Sequence, residues 1–451
     1  MKKLSKFYWI CVWFLFIEMP ATGHITKHVV LITIDGLRPE FYLDSSWGMV
    51  NLEHLAENGV YALNVRPVFP SVTYPDHTTI IKGVKPAEHG IYLNKPFRPE
   101  GYSGPWYIYY DSIRTETLFD AMKKMGYTTA SVRWPVTVGA PIDYNIPPFS
   151  ISRSKDIREI MRKYVRPVNL WDEIQNGAVG TLTSQDWEFS NNELVMDENV
   201  GRIACYLIKK YKPGLIAVHF LAADHYQHQY GCNNYMVHAA VSGIDRGIKD
   251  ILDGISRAGI QDSTTIIVTG DHGFRDTYRT VEPNILLKQN GLQEDIKKGK
   301  WKAQFYSEGG STFLFLKDIS DKKTLRKIDR ILTSLPDSVS RYIRIVNRQE
   351  MDSLGAVPTA AMALSGLQGT SFGNQSKGKL ITSLAKIKGT HGYYPLDKEM
   401  STGFVAFGPD MAKGVKIENM KLFDIFPLVI RLMGLPPHQT VGKIYPQMYA
   451  R

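Results

Sequence analysis

Val29-Val30-Leu31-Ile32-Thr33-Ile34 runs into Asp35, and Leu215-Ile216-Ala217-Val218-His219-Phe220-Leu221-Ala222-Ala223 runs into Asp224. A third run, Thr264-Thr265-Ile266-Ile267-Val268-Thr269-Gly270, leads into Asp271-His272-Gly273. Short β-rich apolar runs bounded by polar residues mark strands buried on both faces of a parallel sheet. Ligands of such sheets bind beyond the carboxyl ends of the strands. Three carboxylates gathered there would not all ionise without a compensating cation. With His228 four residues past Asp224 and His272 directly after Asp271, the pattern is one of metal ligands.

Outward from these runs, strands and helices alternate. Helices are expected over 50–58, closed by Gly59, and from the Pro70-Ser71-Val72-Thr73-Tyr74-Pro75 turn to Gly83. Others are expected over 115–125, 193–211, 235–258 and 422–433, and strands over 128–132 and 404–407. This is the rhythm of an α/β doubly wound, mostly parallel sheet flanked by helices. Residues 276–385 break it, with strands expected over 312–316 and 341–346 and a basic amphipathic helix over 322–332. That segment reads as a small α+β insertion that contributes rim residues to the site.

The 451 residues carry 43% apolar and 22% charged side chains, enough for a sizeable core, and no long linker or repeat divides them. The first 23 residues differ. Lys2, Lys3 and Lys6 precede the apolar stretch from Phe7 to Phe16, and Ala21-Thr22-Gly23 offers small residues for cleavage. This reads as a signal peptide over 1–23, followed by a catalytic domain over 24–451 in a secreted or periplasmic protein. An uncleaved anchor is the alternative; the mature chain has no membrane span. Without Lys2, Lys3, Lys6 and Glu18 the formal charge falls from +10 to +8. With no polybasic tract behind it, this surplus suits an enzyme of anionic substrates rather than a stable nucleic-acid partner. Cys11 departs with the signal. Cys205 and Cys232 could pair in an oxidising compartment or remain buried thiols. Nothing in the sequence fixes the oligomeric state.

Thr73 lies where a turn becomes a helix, and a helix N-terminus favours an anion such as phosphate. A hydroxyl against a divalent metal there would become a nucleophile; the bland reading is a helix cap. Taken together, the motifs resemble those of the type I phosphodiesterase/nucleotide pyrophosphatase family within the alkaline phosphatase superfamily. The matching pieces are Ile34-Asp35-Gly36-Leu37-Arg38, Phe69-Pro70-Ser71-Val72-Thr73-Tyr74-Pro75, His89-Gly90-Ile91 with Asn94, and Trp134-Pro135. Asp224 with His228, Asp271-His272-Gly273, and Gly389-Thr390-His391-Gly392-Tyr393 complete the set.

The resemblance implies an alkaline-phosphatase-like fold and two Zn2+ ions. Asp224, His228 and His391 would hold one ion, and Asp35, Asp271 and His272 the other, together with Thr73. Thr73 would be the nucleophile of a covalent intermediate. Asn94 and the Thr73 backbone N–H would contact the phosphate oxygens. Tyr74 would stack on a base; Trp134 and Arg133 would contact substrate. The expected substrate is a small, nucleotide-like phosphoester, cleaved at a diester or pyrophosphate bond. A monoesterase or phosphonate hydrolase is the nearest alternative, with Arg133 as the extra cation. The Cys/Ser-x-Pro-x-Arg signature of sulfatases is missing at Thr73, and secretion argues against a phosphoglycerate mutase. An inactive binding protein on this scaffold would be marked by loss of the nucleophile or a ligand, and neither is lost. His219, His225 and His238 match no ligand position; His77 and His89 read as packing or turn residues. Asp76, where the family often has asparagine, reads as a cap of its own helix. Asn374-Gln375-Ser376 is a formal glycosylation sequon.

Overall fold

The strand that ends at Asp35 lies at the heart of a nine-stranded sheet. The computed structural model describes residues 25–98, 100, 103–149, 156–187, 192–296 and 298–450. The expected signal and Cys11 lie outside the described residues. Across the sheet the strands run Val415–Ile417, Val60–Arg66, Thr402–Phe407, Thr264–Gly270, His28–Ile34, Leu215–Phe220, Thr129–Val132 and Tyr144–Ile146, with Met420–Lys421 also on Val60–Arg66. Only Thr402–Phe407 runs against its neighbours. The sheet is therefore mostly parallel, and helices cover both faces.

Alternation along the first strand explains the two faces. Val30, Ile32 and Ile34 join the core beneath helices Val50–Glu57, Glu193–Tyr211 and Tyr235–Ala258. Val29 and Leu31 point the other way, towards helices Thr73–Lys82, Leu118–Lys124 and Ile425–Leu432. All five side chains are at most 2% exposed, and each buried one stabilises the fold by about 1.5–3 kcal/mol. On the first face, Glu193–Tyr211 and Tyr235–Ala258 pack very closely. A Cβ on Gly201 would lie 2.7 Å from the Gly247 Cα, so a side chain there would force the helices apart.

Beyond the central sheet, an antiparallel sheet forms from Ala303–Glu308, Ser311–Leu316, Met362–Gly366 and Ile343–Val346. A three-stranded sheet, Thr370–Phe372, Arg275–Val281 and Ile381–Thr390, links it to the main body. The strand Ile381–Thr390 runs past the expected limit of the α+β segment and carries the chain to His391.

The sequence run into Asp224 is not one strand. The strand stops at Phe220, and helix Ala222–Tyr230 begins. The Asp197 carboxylate causes the turn by accepting the N–H groups of Leu221 (3.0 Å) and Ala222 (2.8 Å). Asp224 and His228 thus share one face of a helix, four residues apart. Among the described residues, no helix is long and apolar enough to cross a membrane. Cys205 and Cys232 are not joined in a disulfide.

Candidate active site

Ile34 is in register with both Phe220 and Gly270, so the next residues, Asp35 and Asp271, leave adjacent strands side by side. Gly36 turns the chain away with φ +69; a Cβ there would lie 2.9 Å from the Gln227 amide and from the Phe274 ring. The Asp271 Oδ1 accepts the N–H groups of Gly36 (3.0 Å) and His272 (2.9 Å), leaving Oδ2 for the site.

Three imidazoles face these carboxylates, each steered from behind. The Nδ1 of His228 lies 3.0 Å from the Gly389 carbonyl, that of His272 3.2 Å from Gly273, and that of His391 2.9 Å from Ser71. A carbonyl can only accept, so each Nδ1 carries the proton and each Nε2 presents a lone pair inward.

The donor set has the chemistry to hold divalent metal. Asp224, His228 and His391 form one cluster and Asp35, Asp224 and His272 a second, with ligand atoms mutually within 4.8 Å. The Nε2 of His228 and of His391 lie 3.4 and 3.5 Å from Asp224 Oδ1. His272 Nε2 lies 3.4 Å from Asp35 Oδ1 and 3.3 Å from Asp271 Oδ2. Neighbouring donors on a tetrahedral zinc with bonds of about 2.0–2.1 Å are about 3.3–3.4 Å apart. Asp35 Oδ1, Asp224 Oδ1, Asp271 Oδ2 and His272 Nε2 are buried without a hydrogen-bond partner, which is costly unless a cation satisfies them.

The electrostatics agree. Burial, with Asp224 and Asp271 beside it, pushes the Asp35 carboxyl well above the usual carboxylate range. Burial lifts Asp224 to about 6 against the pull of His228, and raises Asp271 against that of His77. Burial likewise drives His272 and His391 well below the usual imidazole range. Positive charge at the site would reverse the carboxylate shifts.

Thr73 opens helix Thr73–Lys82, and the N-cap is Val72, which offers no capping side chain. Thr73 lines a cavity of about 180 Å³ together with Asp35, Asp224, His228 and His391. Asn94 Oδ1 accepts the Tyr74 N–H at 2.9 Å, which leaves the Asn94 amide nitrogen to donate elsewhere.

The outer wall differs from the sequence reading at one position. Trp134 does not reach the cavity: it is fully buried, with its ring edge-on to His77 at 5.0 Å. Arg133 adopts φ +62, a strained conformation that breaks the in–out alternation. Arg133 lines the cavity while Trp134 turns into the core. The Arg133 guanidinium lies 5.4 Å above the Trp187 ring and 3.4 Å from its carbonyl. Tyr74 also lines the cavity, and its ring lies 5.0 Å from Trp106.

Trp106 and Phe149 line the cavity but carry no periodic sequence signal. Lys95 lies 4.7 Å over Trp106, in an adjoining cleft of about 380 Å³ that also contains Glu308 and the sequon residue Asn374.

The other histidines take other partners: His225 meets Glu193 at 3.3 Å, His238 stacks on Trp47 at 4.0 Å, and His89 meets Thr79 at 3.0 Å. Asp76 is structural, though not as a cap of its own helix. Its Oδ1 accepts the Val68 N–H at 2.8 Å and ties the helix to the preceding segment.

Residues 29–394 match the family described as type I phosphodiesterase / nucleotide pyrophosphatase. The chain is 21% identical over 447 residues to human ectonucleotide pyrophosphatase/phosphodiesterase family member 1, covering 94% of this chain but only 42% of that protein. It is 21% identical over 429 residues to mouse family member 7, covering 92% and 85% respectively. Its fold is similar to that of murine ectonucleotide pyrophosphatase/phosphodiesterase 5, with a TM-score of 0.66 at 18% identity over 94% of this chain and 100% of that one. An inactive form of that murine protein, in complex with AMP, gives a TM-score of 0.65 at 18% identity over 93% and 97%.

Proposed function

The chain belongs to the type I phosphodiesterase/nucleotide pyrophosphatase family, and we propose that it hydrolyses phosphodiester or pyrophosphate bonds through a phosphothreonine on Thr73. The observation that carries this reading is one small cavity lined both by Thr73, at a helix N-terminus, and by a cluster of Asp and His side chains. Asp224, His228 and His391 would hold one zinc ion, and Asp35, Asp271 and His272, with Thr73, the other. Bound there, the cations supply charge that lowers a hydroxyl pKa and offsets the charge developing on the phosphoryl oxygens.

In the first step Thr73 Oγ1 attacks phosphorus, its proton leaves to solvent, and the bond to the leaving-group oxygen breaks. Water then attacks the phosphothreonine; the Oγ1–phosphorus bond breaks and Thr73 regains a proton. From a nucleotide substrate the product is a nucleoside monophosphate. Asn94, its carbonyl oxygen held by Tyr74 N–H, directs its amide nitrogen to a phosphate oxygen. The Thr73 backbone N–H, in the first helical turn, adds partial positive charge. Tyr74 and Trp106 provide aromatic surface for a base. The basic, apolar start of the chain supports a secreted or periplasmic location.

Arg133 supports a second reading. Its buried guanidinium lines the cavity beside the Trp187 ring and carbonyl, and would suit the extra charge of a phosphate monoester.

Initial rates on bis-p-nitrophenyl phosphate, a nucleotide p-nitrophenyl ester and p-nitrophenyl phosphate test both. The expected result is faster diester cleavage, abolished in Thr73→Ala, with the nucleotide ester preferred. Monoester preference would move the protein to the phosphatase reading. No turnover of any substrate by zinc-loaded protein would sink both.

A further inference from the structure

His219 matches no ligand position of the family pattern, yet it is a fourth imidazole turned towards the site. It is the next-to-last residue of strand Leu215–Phe220 and lines the cavity beside Asp35, Thr73 and Asp224. Behind it is a closed triangle of polar atoms. Thr33 Oγ1 lies 2.8 Å from His77 Nε2 and 3.0 Å from His219 Nδ1, and the two nitrogens are 3.0 Å apart.

Counting protons around this triangle fixes the tautomer of His219. His77 Nδ1 lies 2.8 Å from the Thr73 carbonyl oxygen, so it carries a proton, and the Nε2 of the neutral ring is a lone pair. Two bare nitrogens would repel at 3.0 Å, so the proton between the rings belongs to His219 Nδ1. The Nε2 of His219 is then also a lone pair, and it faces Asp35 Oδ2 at 3.5 Å. Two acceptors held face to face are stable only with a cation or a proton donor between them.

His228, His272 and His391 show the same arrangement, with Nδ1 engaged from behind and Nε2 3.3–3.5 Å from a carboxylate oxygen. At His219 the rear contact is His77 in place of a carbonyl. We propose that His219 is a further donor to the cation held by Asp35, its Nε2 aimed by His77 and Thr33. This deepens the two-metal reading and rests on it.

The test compares wild type with two variants. In His219→Asn the amide nitrogen stands where Nδ1 stood, so the link to His77 and Thr33 survives while Nε2 is lost. In His219→Gln a polar atom can reach the Nε2 position. Zinc affinity is read by competition with a chromophoric chelator, and coordination by the visible absorption of the cobalt-loaded protein. The expected outcome is two ions in wild type, with one bound about 10-fold or more weakly in His219→Asn and less weakened in His219→Gln. One of the two cobalt signatures would change in both variants.

Wild-type affinity and an unchanged cobalt spectrum in both variants would overturn the inference. If thermal melting shows that His219→Asn does not fold, the spectrum of His219→Gln decides, and an unchanged one overturns it. Wild type that takes up no metal would instead overturn the two-metal reading, and this inference with it.

Discussion

Asp35 and Asp271 leave neighbouring parallel strands one residue past a paired position, whereas Tyr74, Trp106 and Phe149 reach the same cavity from a helix start and from loops. Asp35 and Asp271 are at most 1% exposed and held in place by the sheet itself. Trp106 is half-buried, between Lys95 of a neighbouring loop and Tyr74 at the helix start. Strand ends fix a charge array to within the register of the sheet, because slipping the first strand by one residue would exchange the side chains of its two faces between the two cores. Loops carry no such constraint and can change without loss of the core. The inner region is therefore suited to set the reaction, and the wall to choose the substrate.

Three substitutions test this division. Asp224, shared by both ligand clusters, belongs to the inner region. Asp224→Asn is expected to lower kcat/KM on the order of 10³-fold or more, equally for nucleotide and aryl diesters, with loss of bound zinc measured by metal analysis. A loss confined to one substrate would break the division. Asn94 lies at the border. Asn94→Ala is expected to lower kcat by about 10²–10³-fold, as for a lost oxyanion donor, with zinc content unchanged; a fall in metal content would place Asn94 with the ligands. Trp106 belongs to the wall. Trp106→Ala is expected to raise KM for a nucleotide ester by about 5–10-fold, near 1–1.5 kcal/mol, and to leave bis-p-nitrophenyl phosphate unaffected. Equal losses on both substrates would show that the wall serves the chemistry too.

The same division governs what could be read from the sequence. Asp35 and Asp271 were legible because a buried parallel strand is an unbroken apolar run, and its end is where the run stops. The helical setting of Asp224 was not, because Asp197, 24 residues before Leu221, decides where that strand ends. Trp134 was misplaced because the single residue before it takes a positive φ that no periodicity announces. Asp76 was read as a local cap, while its partner Val68 belongs to the segment before the helix. Trp106 and Phe149 lie outside regular elements, so nothing in their spacing pointed inward. His219 was visible in its strand, but the atoms that orient it, on Thr33 and His77, come from two other elements.

The contact between His391 and the Ser71 carbonyl joins residues 320 positions apart in the chain. Closing a loop of that length has an entropic cost that local helices do not recover. The ligand set therefore exists only once both the central sheet and the strand Ile381–Thr390 have formed and met. Metal uptake during refolding would then be a clock for the last long-range docking event rather than for early collapse. A cation that bound only the completed fold would shift the folding equilibrium by mass action. A chain that stalled before that docking would lack the assembled ligand set, however much of its secondary structure it had acquired.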